Sequence, residues 1–151
     1  MATAPENFLL SEWFSFDKNL EDVNFLVNFV IEIERQRMAN RKIIFYKHYF
    51  NEFYAELGAE VRTKLNDVMK LVKTADRIPV KFFRIINTVK GLYEIRMEWQ
   101  GNIYRVFCCF DKGNIVVLFQ GFQKKSQKTP TSQIDLAKKL MNEYFNDKEN
   151  G

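Results

Sequence analysis

Between positions 20 and 33 apolar residues recur every three or four places: Leu20, Val23, Leu26, Val27, Val30 and Ile33. That spacing lines one face of a helix, and Asp17 or Asn19 stands where a cap is expected. The pattern changes at Lys42 to Tyr46, a β-branched and aromatic run that reads as a short strand. From His48 to Leu57 the helical period returns, with Phe50, Phe53, Tyr54 and Leu57 on one side and Gly58 breaking the run. A second helix follows from about Ala59 to Thr74, carrying Val61, Leu65, Val68, Met69 and Val72. The two should form an αα-hairpin. A connector through Pro79 then leads past Val80, Phe82 and Phe83, which are expected to dock on the core.

Three strands are expected next: Gly91 to Trp99, Asn102 to Phe110 and Asn114 to Phe122. The links between them, Gln100-Gly101 and Asp111-Lys112-Gly113, are too short for anything but antiparallel pairing, so the strands form a meander. A polar loop, Gln123 to Ser132, leads to a last helix near Gln133 to Phe145, with Thr131 or Ser132 as its cap. The sum is an α+β domain: a short N-terminal strand, a two-helix hairpin, a three-stranded antiparallel meander and a C-terminal helix. The helices are expected on one sheet face, leaving the other free.

Charge changes this picture by dividing the chain. Net charge is +4 over 151 residues, but residues 1–37 carry −4 and residues 38–151 carry +8. An acidic amphipathic appendage (1–37) is therefore expected before a basic domain (38–151), with Met38 as a second possible start. Such asymmetry suits a body with a polyanionic partner. The longest apolar runs fall far short of a bilayer span, and no signal-peptide pattern opens the chain, so a cytoplasmic protein without membrane association is expected. Cys108 and Cys109 are adjacent, and strand neighbours point to opposite faces, so no bridge between them is expected.

Candidate chemistry gathers at the meander. If Tyr93, Ile95, Met97 and Trp99 are buried, then Leu92, Glu94, Arg96 and Glu98 share the other face. Alternation in the next strand allows Arg105 to join Arg96 there. The following loop holds Lys124, Lys125 and Lys128, with the hydroxyl of Thr129 and the ring of Phe122 nearby. Cations and hydroxyls can grip phosphate, and a ring can stack on an unpaired base. Viewed singly, each arginine is also an ordinary partner for glutamate, and the lysine run an ordinary solvated loop. His48 has no partners for a triad or a metal site, two adjacent cysteines do not make a zinc site, and no glycine-rich phosphate loop is present.

The runs GLYEIR (91–96), NIYRVFCCF (102–110) and NIVVLFQGFQKKSQKTP (114–130) resemble the phage-derived, HigB-type branch of the RelE/ParE toxin superfamily. The segments Lys42 to Tyr46, Asp76 to Pro79 and Ile134 to Phe145 match as well, so the likeness spans about residues 39–147. Residues 1–37 have no counterpart in it. The resemblance implies a RelE-like fold and a type II toxin that cleaves translated mRNA on the ribosome, held in check by a cognate antitoxin. It implies Arg96, Arg105, Lys124, Lys125 and Lys128 as catalytic cations, with Tyr93 and Phe122 as structural or stacking elements. The chemistry is attack of a 2′-hydroxyl on its own phosphate, which needs no metal or cofactor. The arginines would supply fixed charge, and one lysine a proton transfer. Two alternatives remain open: a ParE-like, non-enzymatic inhibitor of gyrase, and an inactive or self-shielded binding protein.

Overall fold

A computed structural model describes residues 20–38 and 40–151. The chain divides into two compact units, Met1–Arg37 and Met38–Gly151. Helix α1 spans Leu20–Met38, all but its last residue in the first unit, and the expected cap at Asp17 or Asn19 lies outside the described residues. Its Val23, Val27 and Val30 are exposed, and the rings of Phe25 and Phe29 stack 6.3 Å apart. No helix among the described residues is long and apolar enough to cross a membrane.

The second unit is α+β, built on a five-stranded mixed sheet. In chain order come β1 (Lys42–Phe45), α2 (Tyr49–Glu56), α3 (Ala59–Thr74), β2 (Phe83–Ile85), β3 (Leu92–Trp99), β4 (Asn102–Asp111), β5 (Ile115–Lys124) and α4 (Thr131–Asn150). The sheet order is β1-β5-β4-β3-β2, with β1 parallel to β5 and every other pair antiparallel. The expected meander is therefore present as β3, β4 and β5. Strand β2, too short to carry an alternating signal, adds an edge beyond it. Gln100 and Gly101 turn β3 into β4 with φ of 47° and 78°, the left-handed pair that a two-residue hairpin requires.

Two hydrophobic clusters lie on opposite faces of this sheet. Phe50 of α2 and Leu65, Val68 and Val72 of α3 pack on Ile95, Met97, Tyr104, Val106, Cys108, Val116 and Leu118. Ala137, Leu140 and Met141 of α4 pack on Leu92, Phe107, Cys109, Val117, Phe119 and Phe122. The expectation of helices on one face is thus corrected, because α4 covers the other. The physical reason is that β4 and β5 are apolar at both parities, through Val106-Phe107-Cys108-Cys109 and Val116-Val117-Leu118-Phe119, as a doubly covered strand must be. Cys108 and Cys109 are both free and buried, one in each cluster. Leu92, placed by the sequence on an open face, belongs to the α4 core.

Two local expectations also change. Val80 is 64% exposed and does not dock, whereas Phe82 and Phe83 do pack against the α2–α3 core. Helix α4 begins at Thr131 after Pro130, with no side-chain cap from Thr131 or Ser132. Elsewhere a side chain closes a helix end from a distance. The Arg41 guanidinium donates to the carbonyls of Val72 (2.9 Å), Ala75 (2.7 Å) and Asp76 (3.1 Å) where α3 terminates.

One irregularity decides which residues share the α4 face. The β4–β5 ladder runs from Asp111↔Ile115 to Cys108↔Leu118, then shifts and resumes from Val106↔Gly121 to Ile103↔Lys124. Phe107 consequently stands opposite both Phe119 and Gln120, a bulge in β5. Phe119 joins the α4 core, and the Gln120 amide on the same side donates to the Gln133 carbonyl of α4 at 2.6 Å. Gly121 then turns to the α2–α3 face, where a Cβ would sit 2.3 Å from the Phe53 ring. Beyond the bulge, Phe122 and Lys124 fall on the α4 side rather than the reverse.

Candidate functional site

Cross-strand register assembles a charged array on the α4 face, beside the apolar area that α4 covers. Arg96 of β3 pairs with Arg105 of β4, which pairs with Phe122 of β5. One row along, Glu98 pairs with Ile103, which pairs with Lys124. On the other side, Glu94 pairs with Arg84 of β2. Cross-strand partners share a face, so Arg84, Arg96, Arg105 and Lys124 lie together with Glu94 and Glu98. Lys125 and Lys128 follow in the exposed loop that leaves β5, where the Ser126 hydroxyl donates to the Lys128 carbonyl at 2.9 Å. Thr129, half-buried, precedes Pro130 at the start of α4.

The array is charged but not open throughout. Arg105 is 3% exposed, and its guanidinium donates to the Tyr104 carbonyl at 3.0 Å. The Glu94 carboxylate lies between two arginines, 3.6 Å from Nε of Arg96 and 3.7 Å from Nε of Arg105. Burial, and then the neighbouring Arg96, push the Arg105 pKa down, while Glu94 opposes them. Arginine nonetheless stays protonated at any physiological pH, so the array keeps its fixed positive charge. Lys124 is half-buried, whereas Lys125, Lys128 and Arg84 are exposed. An incoming anion would meet these cations and the partly accessible Arg96 before Arg105.

Of the eight residues singled out from sequence, the structure gathers Arg96, Arg105 and Lys124 on one face, with Lys125, Lys128 and Thr129 in the adjoining loop. For Tyr93 and Phe122, expected as structural or stacking elements, the structure shows the structural alternative. Phe122 is buried against Phe107, ring centroids 5.6 Å apart, within the α4 core. Tyr93 lies on the opposite face, stacked on Phe83 at 5.1 Å and edge-on to Phe110. Both rings are packing residues. Sequence reasoning missed Arg84, which depends on a three-residue edge strand, and the central position of Glu94 between the arginines.

A second polar cluster holds the far end of α4. The Asp111 carboxylate accepts from Lys148 (2.5 Å), from the Tyr144 hydroxyl (2.7 Å) and from the backbone N–H of Lys112 (2.7 Å). Nearby, Tyr46 donates to Asp147 at 2.5 Å and Lys47 pairs with Glu143. The hydrogen bonds from Lys148 and Tyr144 hold the Asp111 carboxyl down at about 2, from an ordinary 3.8. A carboxyl whose folded pKa is depressed adds stability above its unfolded value and loses it as pH falls through the folded one. Asp111→Asn should therefore cost about 1–2 kcal/mol at pH 7, after allowance for solvent around Lys148. The difference from wild type should vanish between about pH 4 and pH 2. Urea denaturation across that range checks it, and a deficit unchanged at pH 2 would sink the assignment.

With this geometry in view, comparison with known families finds a match. Residues 50–142, well over half the chain, fit the family described as phage derived protein Gp49-like. The chain belongs to this family. The match takes in all of α3 and β2 to β5, most of α2, and α4 as far as Asn142, and thus the whole charged array. It leaves out α1 and β1 of the Gp49-like chain. No curated protein matches the sequence.

Proposed function

We propose that the unit Met38–Gly151 is a type II toxin of the RelE/HigB kind, an endoribonuclease that cuts mRNA on the ribosome. Phage-derived Gp49-like proteins fall in a toxin-like group of that type, which supports the class. The observation that carries the chemistry is the convergence of Arg84, Arg96, Arg105 and Lys124 on one sheet face, continuous with the loop of Lys125 and Lys128. The substrate's 2′-hydroxyl gives up its proton to water and attacks the adjacent phosphate, forming a 2′,3′-cyclic phosphate as the bond from phosphorus to the 5′ oxygen breaks. The guanidinium of Arg96 stabilises the charge that builds on the non-bridging phosphate oxygens, and lysines of the loop grip neighbouring phosphates and hand a proton to the leaving 5′ oxygen. A cognate antitoxin would mask this face, and the activity belongs in the cytoplasm, where translated mRNA is found.

Controlled expression of the full chain with mapping of mRNA ends tests the reading. Wild type should arrest growth and produce new 5′ ends within translated codons. Lys124→Ala/Lys125→Ala, exposed or half-exposed positions whose loss spares the core, should reduce cleavage at least about tenfold with folding intact. Cleavage undiminished in that variant would sink the site. A binding-only reading is favoured by the burial of Arg105 and its pairing with Glu94. It predicts ribosome or RNA association without any new mRNA ends.

A further inference from the structure

Glu94 is anomalous for a structural ion-pair partner. It is 8% exposed and flanked by two guanidiniums, yet both separations, 3.6 and 3.7 Å, exceed hydrogen-bond length. Glu94 Oε2, Arg96 Nε and Arg105 Nε are all buried without a hydrogen-bond partner. Buried polar groups in folded proteins are nearly always satisfied, and arginine and carboxylate normally close to about 2.7–2.9 Å, often in a two-pronged fork. Here the carboxylate neutralises two cations while bonding properly to neither. The same face adds Arg84 across from Glu94 and Lys124 beyond, against Glu98, so positive charge is in excess.

We propose that Glu94 is an internal stand-in for phosphate: it compensates Arg96 and Arg105 while the site is empty and competes with an incoming phosphate group for their free N–H donors. The proposal rests on the reading of this face as a phosphate site and deepens it. A carboxylate oxygen and a phosphodiester oxygen make the same demand on a guanidinium, an anionic acceptor for its N–H groups. The two arginines can satisfy the phosphate fully only by releasing Glu94. Observed affinity for phosphate is then the intrinsic affinity reduced by the work of displacing the carboxylate. The device also keeps the cations from collecting unrelated anions. A residue that merely orients the arginines would act in the opposite sense, since neutralising it would weaken anion binding.

The two signs can be separated with the full-length chain and its Glu94→Gln and Glu94→Asp variants. Inorganic phosphate is titrated against melting temperature, and a fluorescent six-residue oligouridylate is followed by anisotropy at low salt. Glu94→Gln should bind phosphate at least about tenfold more tightly than wild type, because one competing charge is gone. Its melting temperature should climb further with phosphate than that of wild type, by mass action. Glu94→Asp, which withdraws the carboxylate by one methylene, should shift in the same direction by less. If Glu94→Gln folds only when phosphate is added, that recovery supports the proposal and the Asp variant carries the titration. Phosphate binding equal to or weaker than wild type in both variants overturns it. Wild type binding the oligouridylate with no gain in the variants overturns the stand-in alone. Tighter phosphate binding without oligouridylate binding keeps the stand-in and removes the RNA reading, and no binding of either probe by any form removes both.

Discussion

Glu94→Gln should lower the free energy of unfolding by about 3–5 kcal/mol in phosphate-free buffer, whereas Arg105→Met should cost less than about 1.5 kcal/mol. The asymmetry follows from the charge count around buried Glu94 and Arg105 and half-buried Arg96. Glu94 is the carboxylate within 4 Å of both Arg96 and Arg105 among the described residues. Neutralising it leaves two guanidiniums facing each other across adjacent strands, and Arg105 is already penalised by burial and by Arg96. Replacing Arg105 by the unbranched, uncharged methionine instead removes that repulsion and the desolvation of one cation, and leaves Glu94 balanced by Arg96. The loss is one hydrogen bond to the Tyr104 carbonyl. Urea denaturation at pH 7 of both variants and of the double variant measures the coupling. Equal costs for the two single changes would mean that Arg105 has favourable partners beyond Glu94, and the like-charge account would fail.

How much of this was legible in the sequence differs from element to element. The α2–α3 hairpin and the meander declared themselves through period and turn chemistry: Gly58 between two helical stretches, and Gln100-Gly101 forcing a tight hairpin. The co-facing of Arg96 and Arg105 followed from simple alternation along β3 and β4, and the register of the two strands bears it out. Lys124 shares that face for a reason alternation could not supply. Counting by twos along an unbroken β5 would put Val117, Phe119 and then Gly121 on the α4 side, and would send Phe122 and Lys124 to the opposite one. The bulge at Phe119 and Gln120 reverses the parity. Its trace in the sequence is Gly121, a residue without a side chain where Phe53 approaches too closely for one.

The expectation of an uncovered face failed for a different reason. As charged residues, Arg96 and Arg105 argue for solvent on that face, while the unbroken apolar runs in β4 and β5 require cover on both sides. Both signals are correct, because they concern different parts of one face. Apolar Phe107, Cys109 and Val117 lie beneath α4, and the arginines lie on the same face, Arg105 buried and Arg96 half-buried, with a buried carboxylate between them. Single-residue chemistry suggested that an arginine here would be paired with glutamate. It could not indicate that one glutamate serves two arginines, since that depends on side-chain directions across two strands.

Phe107→Ala should destabilise the protein by about 3–5 kcal/mol, as large as any single change in the α2–α3 core. The ring has no exposed surface, packs on Phe122, and lies under Ala137, Leu140 and Met141 of α4. It also fills the place opposite the β5 bulge, where two residues face one and the ladder offers no regular pairing to compensate. Helix α4 would stay attached, because Asp111 still holds Tyr144 and Lys148, and Tyr46 still holds Asp147. The cavity therefore cannot be relieved by releasing the helix, which places this change at the costly end of its class. Val80→Ala, at an exposed position in the connector, should change stability by less than about 0.5 kcal/mol. Urea denaturation of the two variants under one set of conditions makes the comparison. A cost below about 1 kcal/mol at Phe107 would mean that α4 does not cover the sheet. Phe122, the cross-strand partner of Arg105, would then lose the cover that α4 gives it, and Arg105 would lose an apolar neighbour that keeps its surroundings poorly screened.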